Sequence, residues 1–458
     1  MCSSLTSLSR FGRGFGRSSS SSAKAIAIPP VEVHDVETSV DKRARTVKHL
    51  LRLNHANYSI LFNHLRFHNH TPHILGSAYL FSASADQLFA IYDDAAAHEG
   101  HEPWVDSPSE IALHDYRDYL GKREYQRAFV DFFEDQLVLA GYDWKCVVEK
   151  FLFERGNPKK DEPNVEPIFN CLTAGLGHPL IHLGYAYELN SREVAMEALG
   201  LAATCYDVTL AKLLETATPA SHSANPLTYS TNNLFEVFAR VHGDSRLDGV
   251  FKHPGGDNLS HLLSDEALTS ILLEHFHAWR IMDPTKDFAQ SQALATALLI
   301  ASAPSVGWTH GWDFFLVHVL TTSHAVRILI PLLDASHHVP LVREWLLIAL
   351  AIYIAQLRPL IKIDYVTDVD LHGRDWDTYI TREAVEGKWK FSAHFVKACR
   401  AMREAERVWG GGYAGDDKYY LKAAVKFASE FNDWGGFGVE EGDGEARDAG
   451  GESVGGKA

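Results

Sequence analysis

The chain lacks most of the features that announce a function. It has only 5 cysteines, at positions 2, 146, 171, 205 and 399, and no two form the C-x-x-C spacing of a zinc ribbon or a thiol redox centre. An odd, scattered set is no disulfide framework either. Basic charge is also short, since 43 Lys and Arg face 59 Asp and Glu, a net charge of −16. Proteins that neutralise a phosphate backbone carry basic patches, so nucleic acid is not an expected partner. There is no uninterrupted run of about 18 apolar residues, which argues against a membrane span. Nor does any cluster of histidines carry an acid at metal-ligand spacing.

What remains is long and apolar enough to fold around a large core: 458 residues, 46% hydrophobic and 22% charged. The ends differ from the body. Residues 1–31 hold Arg10, Arg13, Arg17 and Lys24, nine serines and no acid, a transit-peptide-like composition that makes mitochondria the alternative location. Gly12, Gly14 and Gly16 spoil an amphipathic helix there, and a plain disordered tail on a cytoplasmic protein is the expectation. Residues 435–458 contain nine glycines and six acids and read as a second disordered tail. The folded body is expected over 32–434, and it carries the acidic charge.

That body reads as all-α. Apolar residues recur at spacing 3–4 through 46–65, 87–97, 125–140, 144–153, 194–214, 266–279, 314–333, 342–357 and 394–408. Ser84-Ala-Asp-Gln87 fits a capping box, and Ser107-Pro-Ser-Glu110 puts proline at a first helical position. No linker divides the chain, so a single large multi-helix domain is expected. An internal echo joins Pro72-His73-Ile-Leu75-Gly76-Ser-Ala78-Tyr79 to Pro179-Leu-Ile-His182-Leu183-Gly184-Tyr-Ala186-Tyr187. It suggests two pseudo-equivalent halves, with chance similarity of two apolar helix starts as the competing explanation.

The one abundance is histidine, with 25 residues. With paired thiolates missing, a metal here would be held by nitrogen and oxygen, which favours iron, copper or zinc on imidazoles. Most histidines in any chain fill surface or core, so spacing decides which matter. His64, His68, His70 and His73 lie together, with Thr71 expected to cap a helix beginning at Pro72 and to leave His70 just before it and His73 on its first turn. His178 and His182 stand at i, i+4 on one helical face, although Pro179 disfavours helical geometry at His178 and makes it a candidate cap. Between His318 and His324 a helix turns by about 600°, so at most one points inward, and His318 has the more apolar neighbours. His394 and Lys397 share a face at i, i+3, where a lysine is ordinarily solvated. The clusters are far apart in sequence, which is how helix bundles assemble core metal sites.

Taken together, Phe67-His-Asn-His-Thr-Pro-His73, Gly175-Leu-Gly-His-Pro-Leu-Ile-His-Leu-Gly184, His318-Val-Leu-Thr and His394-Phe-Val-Lys397-Ala-Cys-Arg400 resemble the questin oxidase-like family of fungal polyketide pathways, over roughly residues 46–431. The resemblance implies an O2-dependent oxygenase of secondary metabolism that opens an anthraquinone-type ring in a Baeyer–Villiger-like reaction with NADPH. It also implies a non-haem Fe(II) centre on histidines drawn from His73, His178, His182, His318 and His394, with a carboxylated Lys397 as anionic ligand. The chemistry is coherent. Ferrous oxygenases commonly use at least one anionic oxygen ligand, and a buried lysine that loses its proton can supply one by capturing CO2 as a carbamate. Trp308, Trp312 and Phe315 are the candidates to stack on a planar aromatic substrate.

Two other readings compete. An iron-free, NADPH-dependent Baeyer–Villiger monooxygenase would need a dinucleotide fingerprint. Gly410-Gly-Gly412-Tyr-Ala-Gly415 has the letters but follows a helix, so it reads as a helix-ending loop. The other reading is a helical binding protein whose histidines merely fill the core.

Overall fold

A computed structural model of the chain describes residues 25–98, 101–155, 166–217, 228–302, 311–410, 412–413 and 415–438. Both tails beyond these limits lie outside the described residues, as does Trp308. Eighteen α-helices supply nearly all the regular structure among them. The first six are α1 (Lys42–Asn57), α2 (Thr71–Leu80), α3 (Ala85–His98), α4 (Gln126–Leu139), α5 (Trp144–Phe153) and α6 (His178–Leu189). Next come α7 (Arg192–Thr204), α8 (Val208–Ala217), α9 (Leu234–His242), α10 (Asp257–Ser264), α11 (Glu266–Ala278) and α12 (Pro284–Ile300). The last are α13 (Phe314–Leu329), α14 (Ala335–Ala355), α15 (Asp364–Thr367), α16 (Thr381–Val385), α17 (Ala393–Trp409) and α18 (Tyr419–Glu430). Two short strand pairs complete the set: β1 (Leu61–Phe62) antiparallel to β2 (Phe67–His68), and β3 (Trp312–Asp313) parallel to β4 (Trp434–Gly435). The fold is all-α and a single domain.

Four helices form the heart of the bundle. α2 packs on α6, α6 on α13, α13 on α17, and α17 back on α2, closing a ring. α13 is buried at every position from Phe315 to Leu329. It and α14 are long and apolar enough to cross a membrane, but 89% and 83% of their apolar windows are buried inside the protein. Glycine permits the closest approaches. A Cβ on Gly76 of α2 would meet the Tyr185 ring of α6 at 2.7 Å. Gly76 and Gly184 are the paired positions of the sequence echo, and the helices that carry them pack together.

Several local expectations meet a physical test. Ser84 and Gln87 form the capping box: Gln87 N donates to Ser84 Oγ at 3.2 Å and Ser84 N to Gln87 Oε1 at 2.7 Å. The helix expected over 46–65 stops at Asn57, because Asn63, His64 and Leu65 take positive φ of 48°, 56° and 63° and a strand pair buries Leu61 and Phe62. No helix forms after Ser107, whose Oγ instead accepts from Ala128 N at 3.0 Å. The run 194–214 breaks by 90° between α7 and α8. The segment 25–41 is part of the body rather than tail. Ile26 is buried, its N–H donates to His338 Nδ1 at 3.0 Å, and His34 N donates to Glu188 O at 2.7 Å. At the other end Phe437 packs on Phe314 at 5.1 Å between ring centroids.

Candidate metal centre

The N-termini of α2 and α6 each deliver an imidazole to the middle of the ring. In α2 the helix begins one residue earlier than expected, with His70 itself at the capping position and Asn69 Oδ1 accepting from Thr71 N at 3.0 Å. In α6 the caution raised by Pro179 is overturned, since His178 is helical (φ −59°, ψ −39°) and Gly177 is the cap. The preceding glycine turn makes this possible. Gly175, Leu176 and Gly177 all take positive φ, and a Cβ on Gly177 would stand 2.2 Å from Thr322 Cγ2. The turn also aims Gly175 O at His178 Nδ1, 2.6 Å away. Aligned on their Leu-Gly pairs, His70 and His178 occupy the same position six residues before Gly76 and Gly184.

The other two imidazoles come from α13 and α17. His318 Nδ1 donates to Phe314 O at 2.7 Å. His394 lies on the first turn of α17, capped by Ser392. One ring nitrogen from each of His70, His178, His318 and His394 falls within 4.8 Å of the other three, and all four residues are buried. His70 Nε2 is 2.8 Å from His178 Nε2, and His394 Nε2 is 3.2 Å from His318 Nε2. Bonds of about 2.1 Å to one shared ion place neighbouring nitrogens about 3 Å apart, so this set fits a metal. The backbone carbonyls at Gly175 and Phe314 hold protons on the Nδ1 atoms of His178 and His318 and turn the Nε2 lone pairs inward, an outer-shell arrangement typical of histidine ligands. Burial, reinforced by neighbouring imidazoles and Lys397, holds all four pKa values well below that of ordinary histidine. Neutral imidazoles are the ligating form.

His73 and His182, expected among the ligands, are not in the convergent set. They bond each other instead, His73 Nε2 to His182 Nδ1 at 2.7 Å. Lys397, only 2% exposed, places Nζ 3.3 Å from His73 Nδ1. Beyond His182 the contacts continue outward: its Nε2 is 3.7 Å from Glu197 Oε2, Glu197 Oε1 is 2.9 Å from His55 Nδ1, and His55 Nε2 is 2.9 Å from Glu134 Oε1 at the surface. With Lys397 donating to His73 and His73 to His182, one hydrogen-bond direction runs through both imidazoles, while His182 Nε2, too far from Glu197 for a hydrogen bond, has no partner. Sequence reasoning missed Glu197 and His55, because nothing in their local spelling links them to a histidine 127 positions away in the case of the His55–His182 pair.

The expected aromatic platform is displaced by one residue. Phe314 is half-buried and lies 4.9 Å from the His318 ring and 4.7 Å from the His394 ring, with Trp434 and Phe437 beside it. Phe315 is buried against Gly256 and meets Phe437 edge-on at 6.1 Å between centroids, and Trp312 packs on Phe427. His324 is buried two turns beyond His318, outside the cage.

A helical domain with a cage of buried neutral imidazoles drawn from four non-adjacent segments defines a class: an α-bundle whose core carries a histidine cluster that could hold a metal. The particular family follows from comparison. Residues 67–402 match the family model described as questin oxidase-like, and the chain belongs to that family. It is 24% identical over 373 residues to the Baeyer-Villiger oxidase AgnL3 of Paecilomyces divaricatus, covering 78% of each chain. It is 25% identical over 378 residues to a questin oxidase of Aspergillus terreus, covering 79% of this chain and 80% of that one. A Baeyer-Villiger monooxygenase, AacuH of Aspergillus aculeatus, is 25% identical over 386 residues, 78% of each chain. The protein is an oxidoreductase of this family.

Proposed function

We propose that the protein is a non-haem iron oxygenase that opens an anthraquinone-type ring by O2-dependent cleavage in fungal polyketide metabolism, with NADPH as external reductant. The observation that carries the iron assignment is the buried set of four imidazoles, His70, His178, His318 and His394, two of which, His178 and His318, have their lone pairs held inward. Names of relatives, questin oxidase and Baeyer-Villiger oxidase, support oxygen insertion beside a ring carbonyl as the reaction class. Ferrous iron held by these four, with a carboxylated Lys397 as the anionic oxygen donor, supplies O2 activation.

The rest of the chemistry falls to the chain itself. Phe314, Trp434 and Phe437 offer faces and edges to a planar aromatic ring next to His318 and His394, and exclude water from that side. His73 accepts from Lys397 and so fixes where its Nζ sits. Among the described residues no carboxylate joins the four imidazoles, which leaves Lys397 as the side chain placed to provide a charge.

Metal analysis of tag-free protein after anaerobic reconstitution is the test. One iron per chain and O2 uptake with an anthraquinone substrate are expected, and less than about a tenth of an iron per chain would sink the assignment. A Lys397→Ala variant that keeps full iron would remove the carbamate from it.

A further inference from the structure

The same three ring helices that hold His182, His318 and Lys397 carry a second polar cluster, one to three turns further along each. On α6 it is Glu188, on α13 His324 and Arg327, and on α17 Arg400, Glu404 and Arg407. Six residues along a helix are about 9 Å, so the cluster is separate from the cage. Its charges do not cancel. Arg400 bonds Glu188 through Nη2 and Oε1. Arg407 Nη1 donates to Glu404 Oε1 at 2.8 Å. Arg407 is largely solvated, and Arg327 is the buried guanidinium that bonds neither carboxylate, although Glu404 and Glu188 lie near enough to favour its charge.

Arg327 is only 4% exposed, and its Nε and Nη1 have no hydrogen-bond partner. The same is true of both ring nitrogens of His324, which precedes it by one turn on the same face, and of Nε and Nη1 of Arg400. The only other unpartnered polar atom in the cluster is Glu188 Oε2. Burial, together with the charges of Arg400 and Arg327, holds His324 well below its ordinary pKa, so it is a neutral ring. The cluster therefore has a surplus of N–H donors, a shortage of acceptors, and one buried guanidinium with no carboxylate in bonding distance. Water would meet the donors but not the charge, and a buried unpaired ion costs several kcal/mol. A guanidinium edge matches a planar two-oxygen group in shape.

We propose that Arg327, His324 and the free edge of Arg400 form a buried binding site for a small planar oxyanion, of the carboxylate or bicarbonate kind. The site lies under the 25–41 segment, whose His34 N–H is bonded to Glu188 O. Its occupant is the counter-charge that the side chains leave out. The site is independent of which metal the cage takes, so its test stands apart from iron content.

The full-length protein, exchanged into a buffer free of small oxyanions, is melted in the presence of sodium formate, sodium acetate or sodium bicarbonate, with sodium chloride as the ionic-strength control. A saturable rise is expected, on the order of 3 °C at a hundred times Kd, well above the chloride response. Equal responses to formate and bicarbonate assign a general carboxylate site, and a response to bicarbonate alone assigns the inorganic anion. Arg327→Met, which keeps the stem and removes the charge, should lose the response and should melt no lower than wild type when no oxyanion is present. A wild-type shift no larger than that with chloride overturns the proposal, as does a response that survives in Arg327→Met. The wild-type titration decides the matter even if the variant does not fold.

Discussion

Substituting Gly177 by alanine should damage the protein through two separable costs. The residue sits at φ +77°, and a Cβ there would stand 2.2 Å from Thr322 Cγ2 on α13. The left-handed backbone costs an L-residue about 1–2 kcal/mol, and forcing a methyl into a packed contact costs about 1–3 kcal/mol more. Gly177→Ala should therefore lose about 2–5 kcal/mol. Thr322→Ser removes the obstructing methyl while keeping the hydroxyl that donates to His318 O at 2.6 Å, at a cost of about 1 kcal/mol for the lost methyl. In the double variant the collision is gone and only the backbone strain remains, so the two changes should be non-additive by the relieved collision, about 1–3 kcal/mol in the favourable direction. Urea midpoints of the four proteins at constant m-value measure this. Additivity within about 0.5 kcal/mol would refute the contact as the reason for glycine.

Further expectations rest on other groups. Glu344, buried with its Oε1 accepting from Thr173 N at 2.9 Å, has its pKa pushed by burial from 4.5 to about 8. The folded state holds a proton there that the unfolded state releases, so this group's contribution is full below pH 4.5 and falls by on the order of 4 kcal/mol between pH 5 and pH 8. Glu344→Gln should flatten that part of the urea stability profile, and an unchanged slope would contradict it. At His55 burial works to lower the pKa, but hydrogen bonds and charge from Glu134 and Glu197 outweigh it and raise the value to about 10. Its contribution is full below pH 6.5 and is lost as pH rises through 10; ¹⁵N shifts should show an imidazolium at pH 8, and a neutral ring would disprove the pairing. His70→Ala should abolish iron retention, whereas His182→Ala, one contact removed from Lys397, should weaken affinity about 10- to 100-fold; the reverse order in metal analysis would restore His182 to the ligand set. Phe314→Ala should raise KM for a planar aromatic substrate about tenfold, the worth of one ring contact, and an unchanged KM would move the substrate elsewhere.

The all-α character was legible because helical periodicity is a local property, and the capping box at Ser84 is read from four residues. The break at Asn57 was not, since the apolar letters after it serve a strand pair as well as they would serve a helix. At the site, histidine spacing led to the segments that converge, though on α2 the converging ring is that of His70 and not of His73. His70 and His73 are three apart on either side of a helix start, and only the capping geometry, with Asn69 rather than Thr71 doing the capping, decides which enters the cage. The rule that disfavours helix before proline failed at His178 because two left-handed glycines and a bond to Gly175 O held it in place. Phe314 lost out to Phe315 in the sequence reading because neighbours in a helix differ by a rotation that the letters do not display. Glu197 and Arg327 matter through partners on other helices, and no local pattern marks them.

The ring of α2, α6, α13 and α17 has a consequence for how the protein is made. His70 and His178 are 108 residues apart, and His318 and His394 are 76 apart. Until α17 has been synthesised and docked, no partial chain contains all four imidazoles, so whatever occupies the cage is acquired only at the end of folding. A metal that needed all four imidazoles could not template a partial chain in the way a zinc finger's metal does. It would record that the domain has closed.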